Sequence, residues 1–323
     1  SALRAPLKHV PPRQGLIRPK IDLTCQERSF SLDRHLPAIK LMDSRLDLFE
    51  SIFKRAQRIR FEYSPPNLTS VLVLVPDQPD ITTTPIIEQT LGILNRPKAS
   101  PIIAQSLPNT TDELSISNLV LDHAPDLIVL QRHLLQGEHA WNQGFGGVVQ
   151  SLIQHHATPI LVLPTPVNDA RAPSTVRTIA GIVDQPLNNH DLVNWASTFC
   201  ASGATLCLHH IEAEDQFERI MKAIERIPEL NTETARTTLK RELMQEAQRF
   251  LDHCQLTLEQ YRPDVTVQHS VEMAPVQHGY LTWITQTQPE LIVLDMLDAT
   301  KALNRGIADA LAMQFTDLPF LLL

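Results

Sequence analysis

The chain has 323 residues, 43% hydrophobic and 20% charged, with a formal net charge of −8. These are globular values with room for two ordinary domains, and they exclude a disordered chain. The acidic balance, with a pI near 5.9, excludes a general nucleic-acid binder, which shows a basic footprint.

No apolar run reaches the roughly 18 residues of a membrane-spanning helix. No stretch reads as a secretory signal. The four cysteines, Cys25, Cys200, Cys207 and Cys254, lack the spacing of a zinc or redox motif. Such sparse usage fits a reducing cytoplasm, with the thiols as small apolar side chains. The chain opens on Ser1 rather than Met, which reads as a piece of a longer product.

Residues 1–67 form a segment of their own. Within it, residues 1–20 carry Arg4, Lys8, Arg13, Arg18 and Lys20 and no acid, with Pro6, Pro11, Pro12 and Pro19. This composition predicts an extended basic tether. Residues 40–59 predict an amphipathic helix with Leu41, Leu48, Ile52, Ala56 and Ile59 on one face.

From residue 68 onward the chain reads as alternating buried strands and helices, twice over. Val71-Leu-Val-Leu-Val runs into Asp77, and Ile179-Ala-Gly-Ile-Val runs into Asp184. Pro125-Asp-Leu-Ile-Val-Leu returns as Pro289-Glu-Leu-Ile-Val-Leu. Gly146 precedes a helical stretch and Pro159-Ile-Leu-Val-Leu; Gly306 precedes another and Pro319-Phe-Leu-Leu-Leu. Continuous runs of branched residues are the pattern of strands buried on both faces.

The Asp pair is offset by 107 residues and the Pro-acid pair by 164, so the second copy holds 57 residues that the first lacks. They comprise a strand at Ala204–His210, helices over 213–226 and 233–260, and a strand at Val265–His269. The last is matched with Pro101–Ala104 of the first copy. The expected domains are 68–168 and 174–323, joined by a polar linker from Thr165 to Ser174. Alternation of this kind specifies parallel sheets covered by helices. Pro159–Leu163 and Pro319–Leu323 end the copies as apolar edge strands. Such edges pair or aggregate unless covered. Two copies in one chain favour pairing within the chain, with pairing between two chains as the alternative.

These blocks resemble the universal stress protein family in its tandem form. The likeness rests on Ile182-Val-Asp-Gln-Pro, Asn194-Trp-Ala-Ser, Ser202 to His210 and Glu290-Leu-Ile-Val-Leu. The resemblance implies an α/β fold of two doubly wound parallel sheets in flavodoxin-like order, the first copy shortened. Ligands would then lie beyond the carboxyl ends of the strands, at the switch points. It implies a glycine loop after the fourth strand that holds ATP phosphates, and an aspartate at the end of the first strand that contacts adenine. Those aspartates are Asp77 and Asp184.

Both loops depart from the family pattern. In the second copy Asp295 takes the first glycine position, the loop is short, Ile307 replaces the hydroxyl residue, and Asp298 adds charge that repels phosphate. In the first copy Gln131 takes the first glycine position, and Gly137, Gly144, Gly146 and Gly147 follow. That is four of only ten glycines in the chain, and backbone approach to phosphate needs glycine. His133 and His139 stand nearby. ATP or another adenine nucleotide is therefore expected in the first copy if in either.

No nucleophile elbow, P-loop or zinc-protease motif is present, so the chain is not expected to be an enzyme. His209-His210 lies on a strand, where successive side chains face opposite ways and cannot chelate one ion. The expected function is a non-enzymatic regulatory or ligand-binding protein of universal stress type, in the cytoplasm. The alternative is the cytosolic regulatory domain of a membrane transporter of ions or solutes, with residues 1–20 against the inner face of the membrane or a membrane-embedded region. Nucleic acid is not an expected partner.

Overall fold

The structure is a computed structural model and describes residues 60–77, 83–94, 102–136, 144–164, 176–186, 189–296 and 302–323. The basic tether, the 40–59 helix, the 165–174 linker, Gly137, His139 and Asp298 lie outside the described residues. Arg58–Leu323 forms one compact unit.

The first half runs β1 (Val71–Pro76), α1 (Thr83–Ile93), β2 (Ile102–Leu107), α2 (Glu113–His123), β3 (Leu127–Gln131), α3 (Gly147–His155) and β4 (Ile160–Leu163). The second runs β5 (Thr178–Ile182), α4 (His190–Phe199), β6 (Thr205–Ala213), α5 (Glu214–Ile224), α6 (Thr232–Tyr261), β7 (Thr266–Ala274), α7 (Val276–Thr287), β8 (Leu291–Leu294), α8 (Ala302–Gln314) and β9 (Phe320–Leu322). Each half is a parallel sheet. The two join edge to edge into one nine-stranded sheet of order β2-β1-β3-β4-β9-β8-β5-β6-β7.

Every neighbour in this sheet is parallel except β4 and β9, which are antiparallel. Counted within itself, the first half runs 2-1-3-4, the flavodoxin-like order. The second half runs 3-2-1-4-5, because β7 adds a strand outside β6. One expectation is corrected here. β2 pairs with β1 just as β6 pairs with β5, so β2 fills the place of β6 and not that of the strand at 265–269. Among the described residues the first half has no strand outside β2. β2 takes the open edge of β1, where backbone groups need partners.

The halves repeat each other in hydrogen bonds as well as in sequence. The Asp126 carboxylate accepts the N–H groups of Thr69 and Ser70 at 2.7 and 2.9 Å, and Asp126 N–H donates to Ser70 O. Glu290, 164 residues on, accepts from the N–H groups of Arg177 and Thr178 and donates to Thr178 O. The preceding helices end alike, with Ala124 and Gln288 both left-handed at φ 42° and 48°. The acid in each Pro-acid-Leu-Ile-Val-Leu run thus ties the start of the fourth-type strand to the start of the first.

Strand side chains alternate between two cores. Val71, Val73, Leu127, Leu161, Ile179 and Leu291 face one, under α1, α4 and α6. Leu72, Leu74, Ile128, Ile160, Ile292 and Phe320 face the other, under α2, α3, α7 and α8. Tyr280 and Ile284 on α7 match Ile116 and Val120 on α2, and all four are buried. This is the core role that their helical spacing predicts.

Candidate functional site

In a doubly wound sheet the ligand crevice opens beyond the carboxyl ends of the strands where strand order reverses. Here that happens twice, between β1 and β3 and between β5 and β8. The sequence-predicted residues fall at these two places. Asp77 follows β1 and is exposed, with its N–H donated to Leu107 O at 2.8 Å. Gly144, Gly146 and Gly147 lie beside the end of β3, and Gly146 caps α3 with no side-chain hydrogen bond of its own.

The glycines are needed for conformation and for space. Gly144 and Gly146 have φ of 66° and 95°, a region costly for L side chains. A Cβ on Gly146 would lie 2.9 Å from His133 Cα and 3.0 Å from Gln136 Oε1. One on Gly147 would lie 2.8 Å from Gln136 Nε2, and one on Gly144 2.7 Å from Asp309 Oδ1. The room these glycines leave is therefore taken by the chain's own amide and carboxylate. Gln136 also meets His133 Nδ1 at 3.3 Å, and His133 N–H donates to Phe145 O. Neither Gln136 nor Asp309 stands out in the sequence. Asp309 comes from α8 of the other half, which only the sheet junction brings close.

Arg132, next to Gln131 at the end of β3, is a second residue the sequence does not announce. It is 4% exposed. Its guanidinium donates to the carbonyls of Ala312, Phe315 and Leu318 at 2.6, 2.8 and 3.1 Å. It also lies over the rings of Phe145 and Phe320, at 5.6 and 4.8 Å. A cation at the carboxyl end of α8 complements the helix dipole and its unpaired carbonyls. Burial pushes the Arg132 pKa down to about 10, opposed by Asp317, so it stays charged at neutral pH. It clasps the end of α8 and covers Phe145 of the glycine loop.

The second switch point is acidic. Asn189, 1% exposed, accepts the Gln185 N–H at 2.7 Å and donates to Asp295 at 3.3 Å. Asp184 is half-buried at the end of β5. His210 Nδ1 donates to Val183 O at 2.7 Å, and its Nε2 lies 3.4 Å from Glu212. Burial, together with the charges of Asp184, Glu272 and Glu212, pushes the Tyr280 phenol up. Gly306, expected to head the last helix, lies inside α8 instead.

Among the described residues no cluster of three His, Cys, Asp or Glu side chains could hold a metal ion. No helix among them is long and apolar enough to cross a membrane.

No protein-family model and no curated protein matches the sequence. Solved structures match its fold. A functionally unknown protein of Pseudomonas aeruginosa PAO1 is 14% identical with a TM-score of 0.48, over 79% of this chain and 92% of that one. A protein of Pseudomonas aeruginosa UCBPP-PA14 described as a "putative universal stress protein" is 13% identical with a TM-score of 0.46, over 79% and 93%. A universal stress protein of Archaeoglobus fulgidus is 8% identical with a TM-score of 0.43, over 78% and 97%.

Proposed function

We propose that this chain is a regulatory, ligand-binding protein of universal stress type whose nucleotide loops are degenerate and turn nothing over. The observation that carries the reading is the filled glycine loop: Gln136 and Asp309 sit against Gly144, Gly146 and Gly147. A triphosphate there would displace the amide and meet a carboxylate of like charge. At the second switch point Asp295 accepts from buried Asn189, and Asp184 stands half-buried just beyond β5. Any adenine nucleotide that does enter uses the first half, with Asp77 on the base side and the amino end of α3 toward phosphate. Calorimetric titration with ATP and ADP tests this. The expected result is no saturable heat at micromolar nucleotide, and weak binding at millimolar levels that Gly146→Leu removes. Micromolar ATP affinity, or binding that survives Gly146→Leu, overturns it.

A second reading, favoured by the five basic and no acidic residues of 1–20, is the cytosolic regulatory part of a membrane transporter. Segments beside a membrane carry excess Lys and Arg, and anionic lipid attracts each by about 1 kcal/mol. Co-sedimentation with anionic vesicles at low salt is expected, lost on deleting 1–20. Equal sedimentation of both proteins removes this reading.

A further inference from the structure

On the α7 side of β6 and β7, one buried imidazole is set between a carbonyl and a carboxylate. His209 is 3% exposed, and the register places it directly opposite Ser270. Its Nδ1 lies 3.1 Å from the Ser270 carbonyl and 2.7 Å from Ser270 Oγ. A carbonyl only accepts, so Nδ1 carries a proton. The other nitrogen, Nε2, lies 3.3 Å from Glu272 Oε1, on a side chain that is 48% exposed. The ring stacks on Trp283 at 4.7 Å and 20°, and Tyr280 meets it edge-on at 5.8 Å. With Nδ1–H fixed, Nε2 has two states. In the neutral ring it turns a lone pair toward the carboxylate, which repels it. In the imidazolium it donates a charge-assisted hydrogen bond to the same oxygen.

We propose that His209 and Glu272 form a pH-sensitive switch: acid places a proton on Nε2 and draws Glu272 onto the ring, and neutral pH removes that proton and releases the carboxylate. The other titratable groups around the ring leave this exchange to Glu272. The Tyr280 hydroxyl accepts the Ile211 N–H at 3.3 Å, and burial, with the charges of Asp184, Glu272 and Glu212, keeps it a phenol. Cys207 shares the face of His209 and burial keeps it a thiol. His210 points to the opposite face, donates to Val183 O and disfavours a second charge beside it. Desolvation lowers the His209 pKa and Glu272 raises it, so the ring is neutral at neutral pH and the switch works on the acid side of the ordinary His range. Glu272 also reaches α7, where a Cβ on Gly279 would lie 3.1 Å from its Oε1. The first turn of α7 forms one wall of a cleft of about 720 Å³ whose other wall is the start of α5. The switch thus sits between the sheet and that wall, and it is independent of the nucleotide loops.

The test uses the full native chain and its surface variant. Long-range proton–nitrogen NMR spectra, with His209 assigned through its contacts with the Trp283 indole, read each ring nitrogen separately. At neutral pH a protonated Nδ1 and a bare Nε2 are expected, and acid should convert only Nε2. Indole fluorescence is followed in parallel, because an imidazolium on the Trp283 face is a cation–π contact that quenches emission. Emission should drop with the same midpoint as the Nε2 signal, and Trp283→Phe should remove the drop. In Glu272→Gln the midpoint should move down, since the opposing carboxylate charge is gone, with an unchanged melting temperature at neutral pH. A bare Nδ1 at neutral pH, a ring already doubly protonated there, or equal midpoints in Glu272→Gln and the native chain overturns the proposal.

Discussion

Leu161 lies directly opposite Leu321 across the antiparallel junction of β4 and β9, and each is the repeat counterpart of the other. Their neighbours exchange in the same way: Ile160 faces Leu322 and Val162 faces Phe320. A self-complementary pattern about one central pair is that of an isologous twofold interface, here folded into one chain. It closes two apolar edges that would otherwise template aggregation.

Deleting 319–323 should therefore destabilise the monomer itself. Phe320, Leu321 and Leu322 are fully buried, and losing such side chains costs ~2–5 kcal/mol each in well-packed cores. Urea denaturation with light scattering checks this. A truncated chain with native stability that merely changes oligomeric state would show the junction to lie between chains.

Arg132→Met should lower stability by about 2–4 kcal/mol, because the carbonyls of Ala312, Phe315 and Leu318 lose a shared charged donor. Arg132→Lys should recover only part, since an ammonium cannot reproduce the planar fork between two rings. The midpoint of urea unfolding measures both. A native midpoint in Arg132→Met would mean the clasp is idle.

Stability should fall as the medium is acidified through the range just below pH 6.5. The folded His209 pKa lies below its ordinary value because burial disfavours the cation. The unfolded chain then binds the proton first, so acid favours unfolding, and the contribution of His209 is complete only above the unfolded value. Glu272 opposes this shift and His210 adds to it. His156, also lowered by burial, acts in the same direction. Melting temperature against pH should be shallower in His209→Gln. Parallel curves for the two proteins would remove His209 from this role.

Asp309→Asn should relieve the repulsion at Gly144 and tighten adenine-nucleotide binding, by up to about tenfold if it removes ~1.4 kcal/mol. Calorimetry with ATP on the variant and the native chain decides it. Unchanged or weaker binding would show that Asp309 does not guard the loop.

The sequence by itself determined the parallel α/β class, the duplication, the 57-residue excess of the second copy, and the helix-heading role of Gly146, but not which strand the first copy lacks. Each is a matter of local pattern: runs of branched residues, helical spacing and turn residues act within a few positions. The tertiary structure alone decided what meets across the halves. Arg132 reads as an ordinary strand-end residue until α8 arrives 180 positions later. Asp309 joins Gln136 against the glycine loop only when β4 and β9 pair. The place of β2 beside β1, and the meeting of Ser270 with His209 61 residues earlier, likewise follow from strand order. Strand order is set by which edges are left to satisfy backbone hydrogen bonds and bury apolar area, and that is a property of the whole sheet rather than of any one segment.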